Sequence, residues 1–206
     1  KGVGININTV PVLDVRRKKA HKIISDRSFS ENSDTVYKLG RLCIKLYEKN
    51  KIATVVKHIP GHGLAKHDSH HKTPMVKVDK ANLIKNDFKP FKKCKSLFAM
   101  TAHVVFSLFD NNNTATHSKI VIKKIIRGYI NFKGILISDD ISMKSLKHGI
   151  ENNAIKALKA GCNLVLHCNA NINEMIRLSK VVPKIDKFTQ KKTSHFYKFL
   201  RSEEHT

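Results

Sequence analysis

Four apolar runs in this chain stop abruptly at polar, chemically capable side chains. Residues 5–15 carry Asp14 near their end, Ile52-Ala53-Thr54-Val55-Val56 runs into Lys57-His58, residues 97–102 into His103, and residues 134–138 into Asp139-Asp140. Strands apolar at nearly every position are those covered on both faces, the pattern of a parallel sheet flanked by helices. Amphipathic stretches lie between the runs. After Ser33, which fits an N-cap, Val36, Leu39, Leu42, Cys43 and Leu46 share one helical face. Residues 83–93 read as helix broken by Pro90. Ser118 precedes a helix holding Ile120, Ile122, Ile125 and Ile126, and residues 153–160 form a helix closed by Gly161, before a further strand at 163–166.

Strands alternating with helices predict an α/β fold with right-handed crossovers, and groups placed just past the strand ends predict a (β/α)8 TIM-type barrel, whose catalytic groups gather at that mouth. About five strands are legible, and 206 residues fall short of the roughly 250 of a typical barrel, so an incomplete barrel is expected. Residues 1–182 are assigned to a partial barrel and 183–206 to a basic tail, irregular and disordered or non-native at its extreme end.

Composition narrows the partners. No stretch nears the roughly 18 apolar residues of a membrane helix, and the first residues hold no apolar segment of a signal peptide. Cys43, Cys94, Cys162 and Cys168 match no zinc or redox spacing, and free thiols suit a reducing cytoplasm. The formal charge of +23 suggests a polyanion-binding protein. The lysines are spread along the whole chain, however, with no aromatic-interleaved basic motif, so a generic basic surface is expected, with neither a specific nucleic acid nor a membrane as partner.

Two segments carry chemistry. The first is Lys57-His58-Ile59-Pro60-Gly61-His62-Gly63-Leu64-Ala65-Lys66-His67-Asp68-Ser69-His70. A strand delivers Lys57 and His58; two glycines then free the backbone. Asp68 stands two residues from His70, where a carboxylate can accept the Nδ1–H of the imidazole and raise the basicity of the other nitrogen. The histidines of this loop also form a nitrogen-rich set of the kind zinc uses, but Pro60 and the glycines preclude a helical H-x-x-x-H site. The second segment is Ile135-Leu136-Ile137-Ser138-Asp139-Asp140-Ile141-Ser142-Met143. One of its two carboxylates, ionised and turned into the mouth, is a candidate nucleophile.

Lys-His-x-Pro-Gly-His-Gly followed by Asp-Ser-His, together with Ser138-Asp139-Asp140-Ile141-Ser142-Met143, resembles the motifs of glycoside hydrolase family 3 β-N-acetylglucosaminidases of bacterial cell-wall recycling. Pro11-Val12-Leu13-Asp14-Val15, Asp26-Arg27-Ser28-Phe29, Met100-Thr101-Ala102-His103 and Ala160-Gly161-Cys162-Asn163-Leu164 match in the same order. The resemblance implies a retaining hydrolase acting on peptidoglycan-derived fragments, with Asp139 as nucleophile, His70 as acid/base, Asp68 orienting His70, and Arg27, Lys57 and His58 holding the sugar. It implies neither a metal nor an organic cofactor. It also implies a barrel whose first strands precede residue 1. A monomer is expected. The readings left beside it are an inactive or sugar-binding barrel fragment and a basic polyanion-binding protein.

Overall fold

The computed structural model describes residues 3–17, 24–65 and 73–201. Its centre is a parallel sheet of β1 (Ile7–Asn8), β2 (Ala53–Ile59), β4 (Phe98–Thr101), β6 (Ile135–Asp140) and β7 (Leu164–Leu166), paired in that spatial order. Two short strands that the sequence reading did not resolve, β3 (Met75–Val76) and β5 (Val105–Phe106), pair separately with each other. The helices are α1 (Ser33–Lys49), α2 (Val121–Tyr129, π-wound), α3 (Ile150–Ala160), α4 (Ile172–Val181) and α5 (Lys187–Arg201), with a run of short helical turns over residues 80–93. Strands in sequential order, all parallel, with helices in the crossovers make this the α/β half-barrel arrangement that the apolar runs predict.

Register shows how the sheet divides its side chains. Val55 pairs with Phe98 and Phe98 with Ile135, while Val56 pairs with Ala99 and Ala99 with Leu136. Alternate residues point to opposite faces. Val56, Ala99 and Leu136 therefore join the helix-covered core with Val36, Phe88 and Ile126. Ala53, Val55, Phe98, Met100 and Ile135 face the other way.

That second face is covered by α5, which corrects the reading of 183–206 as an irregular tail. Phe196 is buried, its ring meets Phe98 edge-on at 5.3 Å, and Phe199 and Leu200 pack on the same cluster. Asp186 accepts the Thr189 N–H at the helix start, and the Asn163 Nδ2 donates to the buried Thr189 hydroxyl. Lysines fill the intervening positions and hide the stripe, yet Phe196, Phe199 and Leu200 have the i, i+3, i+4 spacing that puts three side chains on one helical face. The last residues, 202–206, lie outside the described residues.

Helix α1 brings a second correction. Its N-cap is Asn32, whose side chain accepts from the Asp34 and Thr35 N–H groups, and not Ser33. Its buried face is Val36, Gly40 and Ile44, while Leu39, Leu42 and Leu46 are 39%, 52% and 55% exposed. Gly40 selects that face: a Cβ there would stand 2.3 Å from Leu13 Cδ2, so the closest approach to the sheet passes through the residue lacking a side chain. Elsewhere local chemistry behaves as read. Ser118 caps α2 by accepting the Val121 N–H, and Gly161 closes α3 at φ 121°.

Candidate active site

Beyond the C-terminal ends of the strands lies a cavity of about 400 Å³. Lys57 and His58 reach it from the end of β2, Asp139 from the end of β6, and Arg27 from the 3-10 turn Ser25–Arg27. The structure thus brings four of the six sequence-predicted residues together around one space. Asp68 and His70 fall within 66–72 and lie outside the described residues.

Asp14, fully buried, organises this mouth. Its carboxylate accepts the backbone N–H of His58 at 3.2 and 3.3 Å, the backbone N–H of His62 at 2.6 Å, and the Nδ1–H of His58 at 2.7 Å. Burial would raise its pKa, but the charge and hydrogen bond of His58, aided by His62, outweigh it and hold the carboxyl below the ordinary range. Since a carboxylate can only accept, Nδ1 of His58 carries the proton and Nε2 is the nitrogen left for a ligand. The peptide between Lys57 and His58 is cis.

The turn that follows depends on tight approach. A Cβ on Gly63 would stand 2.0 Å from the Val15 carbonyl oxygen, and Gly61 has φ 142° with the Asp87 Cβ 3.1 Å from where its own would be. Both glycines are therefore fixed by packing and backbone geometry where the sequence suggested freedom to move. They place His62 in the cavity wall, 3% exposed, its ring 5.7 Å from that of His58. Burial first, and the neighbouring His58 second, push the pKa of His62 down to about 4, so it is neutral at pH 7.

The two adjacent carboxylates at the end of β6 are unlike. Asp140 accepts from the Ser142 N–H and hydroxyl and from the Cys168 N–H, which ties the strand end to the following turn and to β7. Asp139 lines the cavity and accepts the Asp140 N–H at 2.8 Å. Burial opposes its charge, but His58, His103 and that N–H together keep its pKa below the ordinary carboxylate value. His103 stays at the strand end: Nε2 donates to the Asp140 carbonyl and Nδ1 meets the Thr116 hydroxyl at 2.7 Å. The ammonium of Lys57 is 3.4 Å from the Thr9 hydroxyl; burial and Arg27 lower its pKa against the pull of Asp139 and Asp14.

Sequence reasoning missed the rest of the wall: His62, Thr9, Ile24, Cys168, Met143, and the floor residues Met100 and Leu166. Strand alternation could have found Met100, which stands two residues beyond Phe98 on the same face. Among the described residues, no group of three His, Cys, Asp or Glu is arranged to hold a metal ion, and no helix is long and apolar enough to cross a membrane.

This geometry has known counterparts. The chain is 36% identical over 173 residues to the beta-hexosaminidases of Actinobacillus pleuropneumoniae serotype 3 and of Haemophilus influenzae, covering 80% of this chain and 49% and 48% of theirs. It therefore spans about half the length of these curated relatives. Among solved structures, a glycoside hydrolase family 3 beta-N-acetylglucosaminidase from Paenibacillus superposes with a TM-score of 0.85 at 26% identity, over 96% of this chain and 40% of that one. NagZ from Neisseria gonorrhoeae in complex with N-trifluoroacetyl-D-glucosamine does so with a TM-score of 0.83 at 30% identity, over 94% and 56%. The model of the glycosyl hydrolase family 3 N-terminal domain matches residues 1–195. The chain belongs to glycosyl hydrolase family 3 and has the fold of that family's N-terminal domain.

Proposed function

We infer that the chain carries the catalytic pocket of a retaining β-N-acetylglucosaminidase that removes terminal N-acetylglucosamine from peptidoglycan-derived muropeptides. The observation that carries this reading is the contrast at the end of β6. Asp139 is ionised and turned to a cavity that also holds Arg27, Lys57 and His58, while Asp140 is engaged in local hydrogen bonds. A low-pKa carboxylate poised at a sugar-sized pocket is the group a double displacement needs.

In the first step an Asp139 oxygen attacks the anomeric carbon, the bond to the leaving oxygen breaks, and His70 gives that oxygen its proton. In the second, His70 takes a proton from water, which attacks the same carbon and frees Asp139. An imidazole suits both halves because its pKa lies near neutrality. Asp68 orients His70 and steadies its charge. The Nε2 of His58, the Lys57 ammonium and the Arg27 guanidinium hold the sugar hydroxyls. The N-acetyl preference draws on the N-trifluoroacetyl-D-glucosamine bound by the Neisseria neighbour. The protein is read as a cytoplasmic monomer with no metal or organic cofactor.

A sugar-binding domain without turnover is the second reading, favoured by Arg27, Lys57 and His58, which line the cavity and can hold a sugar without breaking a bond. Hydrolysis of 4-nitrophenyl N-acetyl-β-glucosaminide separates the two. Release of nitrophenol that is lost in Asp139→Ala supports the hydrolase; binding of N-acetylglucosamine with no release supports the binding domain.

A further inference from the structure

The cavity wall is fastened at two points. At the first, Asp14 takes the N–H groups of His58 and His62 and the His58 ring. The second lies three residues further along each chain segment. After Asp14 comes Arg17, whose Nη2 donates to the Asp87 carboxylate at 3.1 Å. After His58 comes Gly61, which gives its N–H to the His58 carbonyl at 2.8 Å and packs on the same Asp87: a Cβ on Gly61 would stand 3.1 Å from the Asp87 Cβ and 3.3 Å from its carbonyl oxygen. Asp87 therefore touches both segments. Neither Arg17 nor Asp87 lines the cavity, so this second fastening stands behind the wall.

Asp87 is a fixed post. It ends the turn Leu83–Asp87, and the next residue, Phe88, is buried with its ring 6.1 Å from that of Phe106. What joins the post to segment 14–17 is one charge-assisted bond. The Asp87 side chain is 3% exposed and that of Arg17 24%. A guanidinium can meet a carboxylate through two parallel bonds, but here one forms, and Arg17 Nε and Asp87 Oδ1 have no partner among the described residues. No second hydrogen bond backs up the first, so the strength of the fastening follows the charge on Asp87.

We propose that Arg17 and Asp87 are positioning residues, whose ion pair clamps segment 14–17 to the Gly61 turn and thereby keeps the His58 ring set toward the sugar. The inference rests on the glycosidase reading, which gives His58 to the sugar. The clamp responds to pH. Burial, with a smaller push from Asp14, raises the pKa of Asp87 to about 6 against the pull of Arg17. The other titratable neighbours do not change with it: His62 on the turn is neutral at pH 7, and on α1, which packs against residues 83–87, Asp34 is paired with Lys89 at 2.7 Å. As pH falls through about 6, Asp87 takes up a proton, its bond to Arg17 loses one charge, and the clamp slackens.

Kinetics on the 4-nitrophenyl glycoside at pH 7.5 and pH 5 test the clamp. Asp87→Asn keeps the shape of the side chain and mimics the protonated acid. It should lower kcat/KM by roughly 5–10-fold at pH 7.5, chiefly through KM, and by about twofold or less at pH 5, where wild type has lost the same charge. Arg17→Met should lose as much at pH 7.5, and the double variant no more than either single one, because all three remove the same bond. Equal losses at both pH values, no loss at pH 7.5, or additive losses in the double variant overturn the clamp and leave Asp87 a packing role. Thermal unfolding at both pH values shows that each assayed variant is folded. A further readout needs no turnover: the downfield proton NMR signal of the His58 Nδ1–H, held by Asp14, should broaden in Asp87→Asn at pH 7.5, and an unchanged signal overturns the clamp. Wild type that releases no nitrophenol overturns the glycosidase reading, and the NMR signal then decides the clamp by itself.

Discussion

Asp14, fully buried behind His58 and His62, and Asp139, half-buried in the cavity wall, are both held below the ordinary pKa, and they have opposite designs. Asp14 is saturated: the His58 ring, the His58 N–H and the His62 N–H all converge on it, and it has no exposure. Asp139 has one backbone N–H and lines the cavity. A charge fully matched by the protein holds structure in place. A charge kept ionised mainly by neighbouring imidazoles, with lone pairs toward a cavity, is available to a ligand.

Removing each carboxylate should therefore fail in a different way. Asp139→Ala is expected to lower kcat on the nitrophenyl glycoside by about 10⁴-fold or more with little change in unfolding midpoint, since it deletes the attacking group. A retained kcat would reassign the nucleophile. Asp14→Ala leaves the His58 and His62 donors buried and unmatched, and should cost about 3–5 kcal/mol of stability in denaturant titration. If Asp14→Ala instead unfolds like wild type, the saturated web is not what holds the mouth.

Beneath Asp139, Met100 forms the floor of the cavity and packs into the cluster that contains Phe196. Phe196→Ala should cost about 2–4 kcal/mol through the void it leaves, and raise KM more than it lowers kcat. A variant as stable as wild type would show that α5 does not support the site.

The smallest effect concerns pH. His62 links the two carboxylates, giving its N–H to Asp14 while its ring lines the cavity of Asp139. Its folded pKa of about 4 lies below the ordinary imidazole value of 6.5. Between those values the unfolded chain binds the proton and the folded chain does not, so stability falls as pH drops from 6.5 toward 4, by about 2–3 kcal/mol. Asp87 opposes this: burial raises its pKa to about 6 despite Arg17, so its folded form takes up a proton as pH falls below 6. In wild type the two oppose each other, while His117, also pushed down to about 4 by burial, adds to the acid loss. Asp87→Asn removes the offset and should deepen the acid loss relative to wild type in urea titrations at pH 6.5 and 4.5, measured as a difference between those two conditions.

Much of this was legible in the sequence because strand chemistry is local. Runs such as 52–56 and 134–138, apolar throughout and ending in Lys57-His58 and Asp139-Asp140, name both the buried strand and the mouth. What was not legible depends on partners distant in sequence. The buried face of α1 was misread because Gly40 against Leu13 decided it, and a glycine contributes nothing to an apolar stripe. Helix α5 was missed because its lysines mask three apolar residues whose partners, Phe98 among them, lie about 100 residues earlier. The choice between Asp139 and Asp140, open on spacing alone, turns on Ser142 and Cys168, whose N–H groups engage only one of them. The cavity wall at His62 follows from Gly63 lying against Val15, a contact no local pattern encodes.

The most direct measurement is mass spectrometry of the protein after incubation with a slow, fluorinated N-acetylglucosaminyl donor that accumulates the glycosyl-enzyme. The account predicts one added sugar, mapped by peptide fragmentation to Asp139. An adduct on Asp140, or turnover of the donor with no adduct on any carboxylate, would contradict it.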